Sequence, residues 1–384
     1  MGFKHLKNSV SRYINNIQGW RTNRKIVVIE SDDWGSIRMP SKEIYYKCLR
    51  AGYPVDQNPY ERYDSLLSQD DLGLLFDLLT KFNDKNGNPP VITANCVVAN
   101  PDFEKIRNDN FANYYYELIT ETFKKYPAHN KNFSLWNEGI KNKFFFPQYH
   151  AREHLNVSLF MDALRRGDPD VHFGFENNMP GCISHGPAIK GNVYVEATNY
   201  NSKEDKNQKL AIYLEGLEYF KRLFGYRSET IIPPNYVWSP DFNRAVFLKG
   251  VRAFQGIRKI KEPDLNNNFK LDTVYLGKQN SLNQIYLVRN CLFEPSIFTL
   301  GINDPVNQCL SDISAAFKLN KPAIVSSHRV NYVGFIDECS RDRSLRMLFQ
   351  LITKAQRYWP DLEFFNSNQV AELIIGKKII ECEE

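Results

Sequence analysis

The sequence has few cysteines, and their positions exclude two kinds of scaffold. Seven cysteines are scattered over 384 residues, and no two of them form a C-x-x-C pair. This odd, dispersed set excludes a disulfide framework and a cysteine-based zinc site, and it predicts reduced thiols in an intracellular protein. The seven are Cys48, Cys96, Cys182, Cys291, Cys309, Cys339 and Cys382.

Long apolar runs and a strong excess of one charge are lacking as well. No stretch is long enough to cross a bilayer, and residues 1–23 contain no apolar core followed by a cleavage site. The net charge of +5 is spread along the chain, so the sequence has no concentrated basic segment of the kind that binds nucleic acid. We therefore expect a cytoplasmic protein with no transmembrane segment and no nucleic-acid partner.

The composition is that of a globular protein, with 42% hydrophobic and 24% charged residues. No repeat, low-complexity tract or Pro/Ser-rich linker divides the chain, which predicts a single domain over residues 23–384. Residues 1–22 are predicted to form an amphipathic basic helix packed on that domain. Contact of residues 3–20 with a membrane surface is the alternative. The apolar positions at helical spacing are Phe3, Leu6, Val10, Tyr13, Ile14, Ile17 and Trp20, with Lys4, Lys7 and Arg12 on the other faces.

Short apolar runs alternate with helical patterns along the rest of the chain. The predicted strands are 25–30, 90–95, 144–149, 230–232, 251–254, 323–326 and 362–365, and helical patterns cover 70–82, 157–166, 207–223 and 340–358. This alternation indicates a parallel sheet. The number of units favours an α/β fold of the incomplete parallel (β/α)7 type, with an N-terminal helix and long loop insertions. A doubly wound open sheet is the alternative.

Polar side chains follow three of these predicted strands. Asp32 and Asp33 follow the first, His150 and His154 follow the third, and His328 follows the sixth. The carboxyl ends of parallel strands meet at one edge of the sheet, where such folds place their chemistry. We therefore expect these side chains to lie close together.

The two histidines have the spacing of one helical turn, which would direct both imidazoles towards a single ion. Neutral imidazole suits zinc, although a pair of this spacing can also arise by chance. The aspartate pair follows a buried strand, unlike Asp70 and Asp71, which open a predicted helix where carboxylates complement the helix dipole. For His328 a role in the core is the alternative.

Taken together, Asp32-Asp33, His150-x-x-x-His154, Pro233-Pro234 and the late His328 resemble, in that order, the motifs of the polysaccharide deacetylase family, also called the NodB-homology family. Members of that family have an incomplete (β/α) barrel, and the resemblance extends from about residue 25 to 370. The chain departs from the family pattern at Trp34, Ile232 and Asn235. They replace a glycine, an arginine and a tyrosine. No fourth motif with its Asp and Trp is found.

The resemblance implies a metal-dependent hydrolase with assigned residues. Asp33, His150 and His154 would bind a divalent metal, with zinc the first choice and cobalt, nickel, manganese or iron as alternatives. Asp32 would be the catalytic base and His328 the general acid. The implied reaction removes an acetyl group from a sugar or glycan precursor, with an N-acetyl group favoured and an O-acetyl ester as the alternative.

The loops at the same edge are predicted to contact the substrate. The residues are Trp34, Pro234, Asn235, Tyr236, Trp238 and Arg329. Two other functions remain open: a glycoside hydrolase on a related barrel, and a degenerate barrel that binds carbohydrate or acts as a scaffold. For the former, the available carboxylates are Glu153, Glu176, Glu196 and Glu294.

Overall fold

A curled parallel sheet lies at the centre of the fold. The computed structural model describes residues 12–180, 193–265, 268–297 and 304–376. The strands are β1 (Lys25–Trp34), β2 (Ile92–Val97), β3 (Ala99–Pro101), β4 (Tyr116–Leu118), β5 (Phe145–Ala151), β6 (Thr230–Ile231), β7 (Ala253–Gly256), β8 (Lys259–Pro263), β9 (Phe269–Thr273), β10 (Ile285–Val288), β11 (Cys291–Leu292), β12 (Ala323–His328) and β13 (Leu362–Phe365). Nine of them form one sheet in the order β10-β7-β6-β5-β2-β1-β12-β11, with β13 paired to β1.

Helices surround this sheet. The α-helices are Lys42–Arg50, Pro59–Arg62, Gln69–Leu79, Phe103–Asn108, Ile119–Lys125, Asn132–Lys141, Val157–Arg165, Pro169–Glu176, Lys203–Phe224, Asn243–Leu248, Pro305–Lys318, Glu338–Tyr358 and Ser367–Ile375. Short 3-10 turns span Pro127–His129, Val193–Val195, Pro234–Tyr236, Pro240–Phe242 and Arg329–Asn331. All but the first residue of β1 are buried, as expected for a central strand covered on both faces.

The sheet curls into a barrel that stays open at one seam. β10 and β11 lie at the two ends of the strand order, although only Arg289 and Asn290 separate them in the chain. All the pairs within the sheet are parallel. The predicted incomplete (β/α) barrel is therefore confirmed.

The differences from the predicted elements have local causes. The first strand does not stop at Glu30 but continues to Trp34, because a register shift lets it keep pairing with β2. β10 and β11 were not predicted from the sequence. The antiparallel pairs β3–β4 and β8–β9 lie outside the main sheet. They account for part of the predicted loop insertions.

The N-terminal helical segment, residues 12–17, contacts the barrel through polar side chains. The Nε of Arg12 donates to Asp312 Oδ1 at 2.6 Å, and Asn16 is buried. Ile14 and Ile17 are exposed instead. The predicted apolar positions Phe3, Leu6 and Val10 lie outside the described residues. Among the helices that the structure describes, none is long and apolar enough to cross a membrane.

The cysteines among the described residues are free thiols. Cys48, Cys96, Cys291 and Cys309 are buried and Cys339 is exposed. Cys182 and Cys382 lie outside the described residues.

Gly216 provides a test of how closely a helix packs on β5. It lies in Lys203–Phe224, and a Cβ at this position would overlap the hydroxyl of Tyr149 and lie 2.8 Å from the Cβ of Arg152. We expect Gly216→Ala to lower the free energy of unfolding by about 1–3 kcal/mol, because the core must shift to admit the methyl group. The urea midpoint at unchanged m-value measures this.

Gly73 is the matched control, since it also lies within a helix, Gln69–Leu79, but a Cβ there meets no atom within 4 Å. Gly73→Ala should raise the free energy of unfolding by about 0.5–1 kcal/mol, because alanine restricts the unfolded chain. Equal stability of Gly216→Ala and the wild type would contradict the close packing on β5.

Candidate active site

The carboxyl end of β1 brings Asp32 and Asp33 into one cavity. In a regular strand, neighbouring side chains point to opposite faces. Here the register with β2 shifts between Ser31 and Trp34, and Asp33 has a φ of +73°. Bulges of this kind redirect side chains near functional sites. As a result both carboxylates line the same cavity.

The two histidines reach this cavity from a strand and a loop, not from a helix. His150 lies in β5, at a register shift where Cys96 pairs with Tyr149 and Val97 pairs with Ala151. His154 lies in the loop that follows. The prediction that both imidazoles lie on one helical turn is therefore wrong. The chain bends after β5, and this bend directs the second imidazole back towards the first.

Asp33, His150 and His154 form a cluster of possible metal ligands. Asp33 Oδ1 lies 3.6 Å from His150 Nε2 and 3.4 Å from His154 Nε2. One ligand atom from each residue lies within 4.8 Å of the others. His150 Nδ1 is 2.7 Å from the carbonyl oxygen of Ile232, so that it donates there and leaves the lone pair on Nε2.

The protonation states of this cluster suit a divalent ion. Burial lowers the pKa of His154 to about 3, although Asp33 acts in the opposite direction. Burial raises the pKa of Asp33, but Arg38 and the imidazoles outweigh it and hold that pKa well below its usual value. His150 Nε2 is buried and has no hydrogen-bond partner among the described residues. One carboxylate and two imidazoles, with a buried lone pair directed at the carboxylate, therefore fit a catalytic divalent ion.

Arg289 holds Asp32 and was not predicted from the sequence. Its Nη1 and Nη2 donate to the two carboxylate oxygens of Asp32 at 2.7 and 2.6 Å, and its Nε donates to Glu30 Oε2 at 2.7 Å. Burial raises the pKa of Asp32, but Arg289 outweighs burial and lowers this pKa to about 2. Asp32 is therefore an anion at neutral pH. The available signal was an arginine directly after the apolar run of β10.

Glu294 holds His328 at the other side of the cavity. His328 Nδ1 lies 2.5 Å from Glu294 Oε1, and Asn331 Nδ2 donates to the other oxygen of Glu294 at 2.6 Å. His328 Nε2 lies 3.7 Å from Asp32 Oδ2. Burial lowers the pKa of His328, but Glu294 and the two aspartates outweigh it and raise the pKa to about 9. His328 therefore carries a proton at neutral pH.

Arg38 is a further residue that the sequence analysis missed. Its Nη2 donates to Asp33 Oδ2 at 3.2 Å, which leaves the Oδ1 atom facing the two imidazoles. The cavity lined by the two aspartates, Arg38 and the three histidines has a volume of about 250 Å³. Its lining consists of Asp32, Asp33, Arg38, Asn58, Tyr60, His150, His154, Val195, Ile232, Pro233, Asn235, Tyr236 and His328.

Of the predicted substrate contacts, Asn235 and Tyr236 line this cavity, but Trp34, Pro234, Trp238 and Arg329 do not. These four predictions need correction, because the side chains have structural partners. Trp34 is fully buried against Phe145, with ring centroids 4.8 Å apart. Trp238 is buried and donates from Nε1 to Asn243 at 2.8 Å.

The other two corrected residues are also held inside the protein. Both Nε and Nη2 of Arg329 donate to the carboxylate of Asp64, at 3.0 and 2.9 Å, and neither side chain is exposed. Pro234 is buried, and its neighbour Pro233 faces the cavity instead. A polar residue after a strand thus lies in the core when a buried partner of opposite charge binds it.

Comparison with known proteins finds similarity only at the level of structure. No protein-family model matches the chain, and no curated protein matches it by sequence. A probable polysaccharide deacetylase from Pseudomonas aeruginosa PAO1 superimposes with a TM-score of 0.45 at 12% identity, with 91% of each chain covered. PuuE allantoinase gives 0.48 at 10% identity, covering 92% of this chain and 91% of that one.

A third structure, a 4-alpha-glucanotransferase from Thermococcus litoralis, gives a TM-score of 0.44 at 10% identity. The match covers 90% of this chain but only 40% of the glucanotransferase. Similarity at this level bears on neither substrate nor mechanism, which must be judged from the side chains of the site.

Removal of the two imidazoles tests the metal cluster. We expect the His150→Ala, His154→Ala double variant to lose zinc that the wild-type protein retains after loading and desalting, because one carboxylate alone is a poor zinc site. Elemental analysis measures the zinc content. His172→Ala is the control, since His172 lies outside the cavity and its Nε2 is 2.9 Å from the carbonyl of Leu164. Equal zinc content in the double variant and the wild type would exclude the cluster as the binding site.

Proposed function

We propose that the protein is a metal-dependent hydrolase that removes an acetyl group from a sugar or glycan precursor. One observation carries this proposal: an ionised carboxylate, Asp32, and a protonated imidazole, His328, line the same cavity as a cluster fit for a divalent ion. A group that can accept a proton and a group that can donate one are the two functions that general acid–base catalysis of amide hydrolysis uses.

Asp33, His150 and His154 would hold the ion, with zinc as the first choice and cobalt, nickel, manganese or iron as alternatives. When bound, such an ion supplies Lewis-acid polarisation of a carbonyl oxygen. Asp32 lies beside this cluster but is held by Arg289 and by the Nδ2 of Asn95, which donates to Asp32 Oδ1 at 2.8 Å. The remaining lone pairs of the Asp32 carboxylate can orient a water molecule and accept a proton from that water.

His328 completes the reaction from the opposite side. Water attacks the acetyl carbon, a new C–O bond forms, and Asp32 takes the proton that the water loses. The C–N bond then breaks, and the Nε2 proton of His328 passes to the departing nitrogen. The products are acetate and an amine. An amine leaves only when it is protonated, so the raised pKa of His328 favours an N-acetyl over an O-acetyl substrate.

The contacts of the other carboxylates support this function over glycoside hydrolysis. A glycosidase needs two carboxyl groups on either side of the scissile bond. Both carboxylate oxygens of Glu153 accept from Arg152 at 2.6 Å, and Glu196 is held by Asn199 and Lys261. Glu176 pairs with Arg107 at the surface, and Glu294 is bound to His328. None of the four lines the cavity that contains the metal cluster.

Asp32→Asn tests the proposed base. We expect the variant to release acetate from zinc-loaded reactions about 10²–10⁴-fold more slowly than the wild type, because an amide cannot accept the proton of water. The measurement is acetate release from chito-oligosaccharides and acetylated monosaccharides, with zinc content checked in parallel. Asp70→Asn is the matched control, because Asp70 is exposed at the start of Gln69–Leu79. Wild-type rates in Asp32→Asn, or no acetate from either protein, would reject the proposed function.

Glu294→Gln tests the proposed acid through its pH dependence. His328 must be protonated to act, so activity should fall as the pH rises through its pKa. Glu294, Asp32 and Asp33 all raise this pKa, and removal of the charge of Glu294 should lower it. We expect the alkaline limb of the kcat/KM profile to move to lower pH in Glu294→Gln. An unmoved limb would contradict the assignment of His328.

A further inference from the structure

A second cavity, which we call the outer lobe, adjoins the cavity of the metal cluster. Its volume is about 530 Å³, within the usual range for small-molecule sites. The two cavities share Tyr60, Tyr236 and His328 as lining residues. The ring of Tyr60 packs edge-on against His328, with ring centroids 5.2 Å apart. These three side chains lie at the boundary between the two cavities.

The position of His328 at this boundary indicates how the substrate is oriented across the two cavities. In the proposed reaction, on which this inference rests, the acetyl carbonyl lies at the metal cluster and His328 protonates the departing nitrogen. The part of the substrate attached to that nitrogen therefore lies on the His328 side. The outer lobe begins at His328, so it is the space into which the rest of the substrate extends.

The charges that line the outer lobe are matched in pairs. The Nε of Arg12 donates to Asp312 at 2.6 Å, and Arg289 binds Asp32 and Glu30. Both oxygens of Glu294 are likewise occupied, by His328 and Asn331. An anionic ligand would have to compete with these carboxylates for the arginines. The lobe is therefore suited to a neutral group.

The remaining lining combines amide and aliphatic side chains. Asn15 and Gln308 carry amides, which can both donate to and accept from hydroxyl groups. Ile257, Leu292 and Ile297 offer apolar surface, and the last two are 38% and 37% exposed. A sugar presents the same combination, with hydroxyl groups at its edge and C–H groups on its faces.

The N-terminal helical segment supplies one wall of the outer lobe. Arg12 and Asn15 both line it. The segment is anchored by the bond from Arg12 to Asp312 and by the Nδ2 of Asn290, which donates to Asn16 Oδ1 at 2.7 Å. Asp312 and Asn290 also line the lobe. The same contacts therefore fix both the segment and the lobe.

We propose that the outer lobe binds a second, neutral sugar residue attached to the amine-bearing unit of the substrate, and that Asn15 is a specificity-determining residue for it. The substrate is then at least a disaccharide unit. A nucleotide diphosphate attached at the same position is disfavoured, because the lobe offers no unmatched cation among its described lining residues.

Tryptophan substitutions on one helical segment test this proposal. Asn15 is exposed, so Asn15→Trp should fold and fill the lobe. Ile17→Trp is the matched control, because Ile17 is 55% exposed on the same segment and lines neither cavity. The probes are N-acetylglucosamine, N,N′-diacetylchitobiose and UDP-N-acetylglucosamine. Their binding to the full-length zinc-loaded protein is measured by ligand-observed NMR, and acetate release is measured in parallel.

We expect the wild type to bind the disaccharide about tenfold more tightly than the monosaccharide. Asn15→Trp should abolish this preference and leave monosaccharide binding unchanged, whereas Ile17→Trp should retain it. The UDP-linked sugar should bind no more tightly than the monosaccharide. Leu292→Ala, on a different wall, should reduce the preference in the same direction.

The outcomes separate this inference from the proposed function. Disaccharide binding that is equal in the wild type and Asn15→Trp, including no measurable binding to either, overturns the outer lobe as a sugar site. If the UDP-linked sugar binds more tightly than the monosaccharide, the proposal that the outer lobe binds a neutral group is overturned. If Asn15→Trp abolishes the disaccharide preference but no acetate is released by any of the proteins, the outer lobe is supported as a sugar site and the proposed hydrolase function is rejected.

Discussion

One buried guanidinium group links the architecture of the barrel to its site. Arg289 lies in the two-residue joint between β10 and β11, the strands on either side of the open seam, and it binds Glu30 and Asp32 of the central strand β1. The side chains of Arg289 and Glu30 are almost fully buried. Breaking a buried ion pair by removing one partner costs about 3–5 kcal/mol. Because Arg289 lies between the two edge strands, this pairing with β1 constrains both edges of the sheet.

The same principle assigns different roles to neighbouring groups in the site. Asp32 and Asp33 are adjacent in the chain, yet one faces Arg289 and the other faces Arg38 and two imidazoles. Glu294 raises the pKa of His328, which therefore stays protonated at neutral pH, whereas burial lowers the pKa of His154 and leaves that imidazole neutral. The protein thus sets the charge of each group through its nearest partner, and the groups that we propose as acid, base and metal ligands differ because their partners differ.

Much of the fold and part of the site followed from the sequence, because both depend on strand ends. Buried apolar runs gave seven strands, and the polar residues after three of them converge on one cavity. Arg289 and Arg38 were missed, and so was the pairing of Glu294 with His328, because a partner of opposite charge that is distant in sequence leaves no periodic signal. Trp34 and Trp238 were misplaced for a related reason. Their position after a strand suggested the rim, but their large rings fill the core.

The two-residue joint at the seam also bears on how such a barrel can vary between species. The antiparallel pairs β3–β4 and β8–β9 lie outside the main sheet, where added length leaves the pairing of the main sheet intact. An insertion between Val288 and Cys291 would instead displace the arginine from both carboxylates and release the edge that Asn290 ties to Pro322. Natural variants of this architecture should therefore differ widely in their peripheral loops while the spacing across this joint remains fixed.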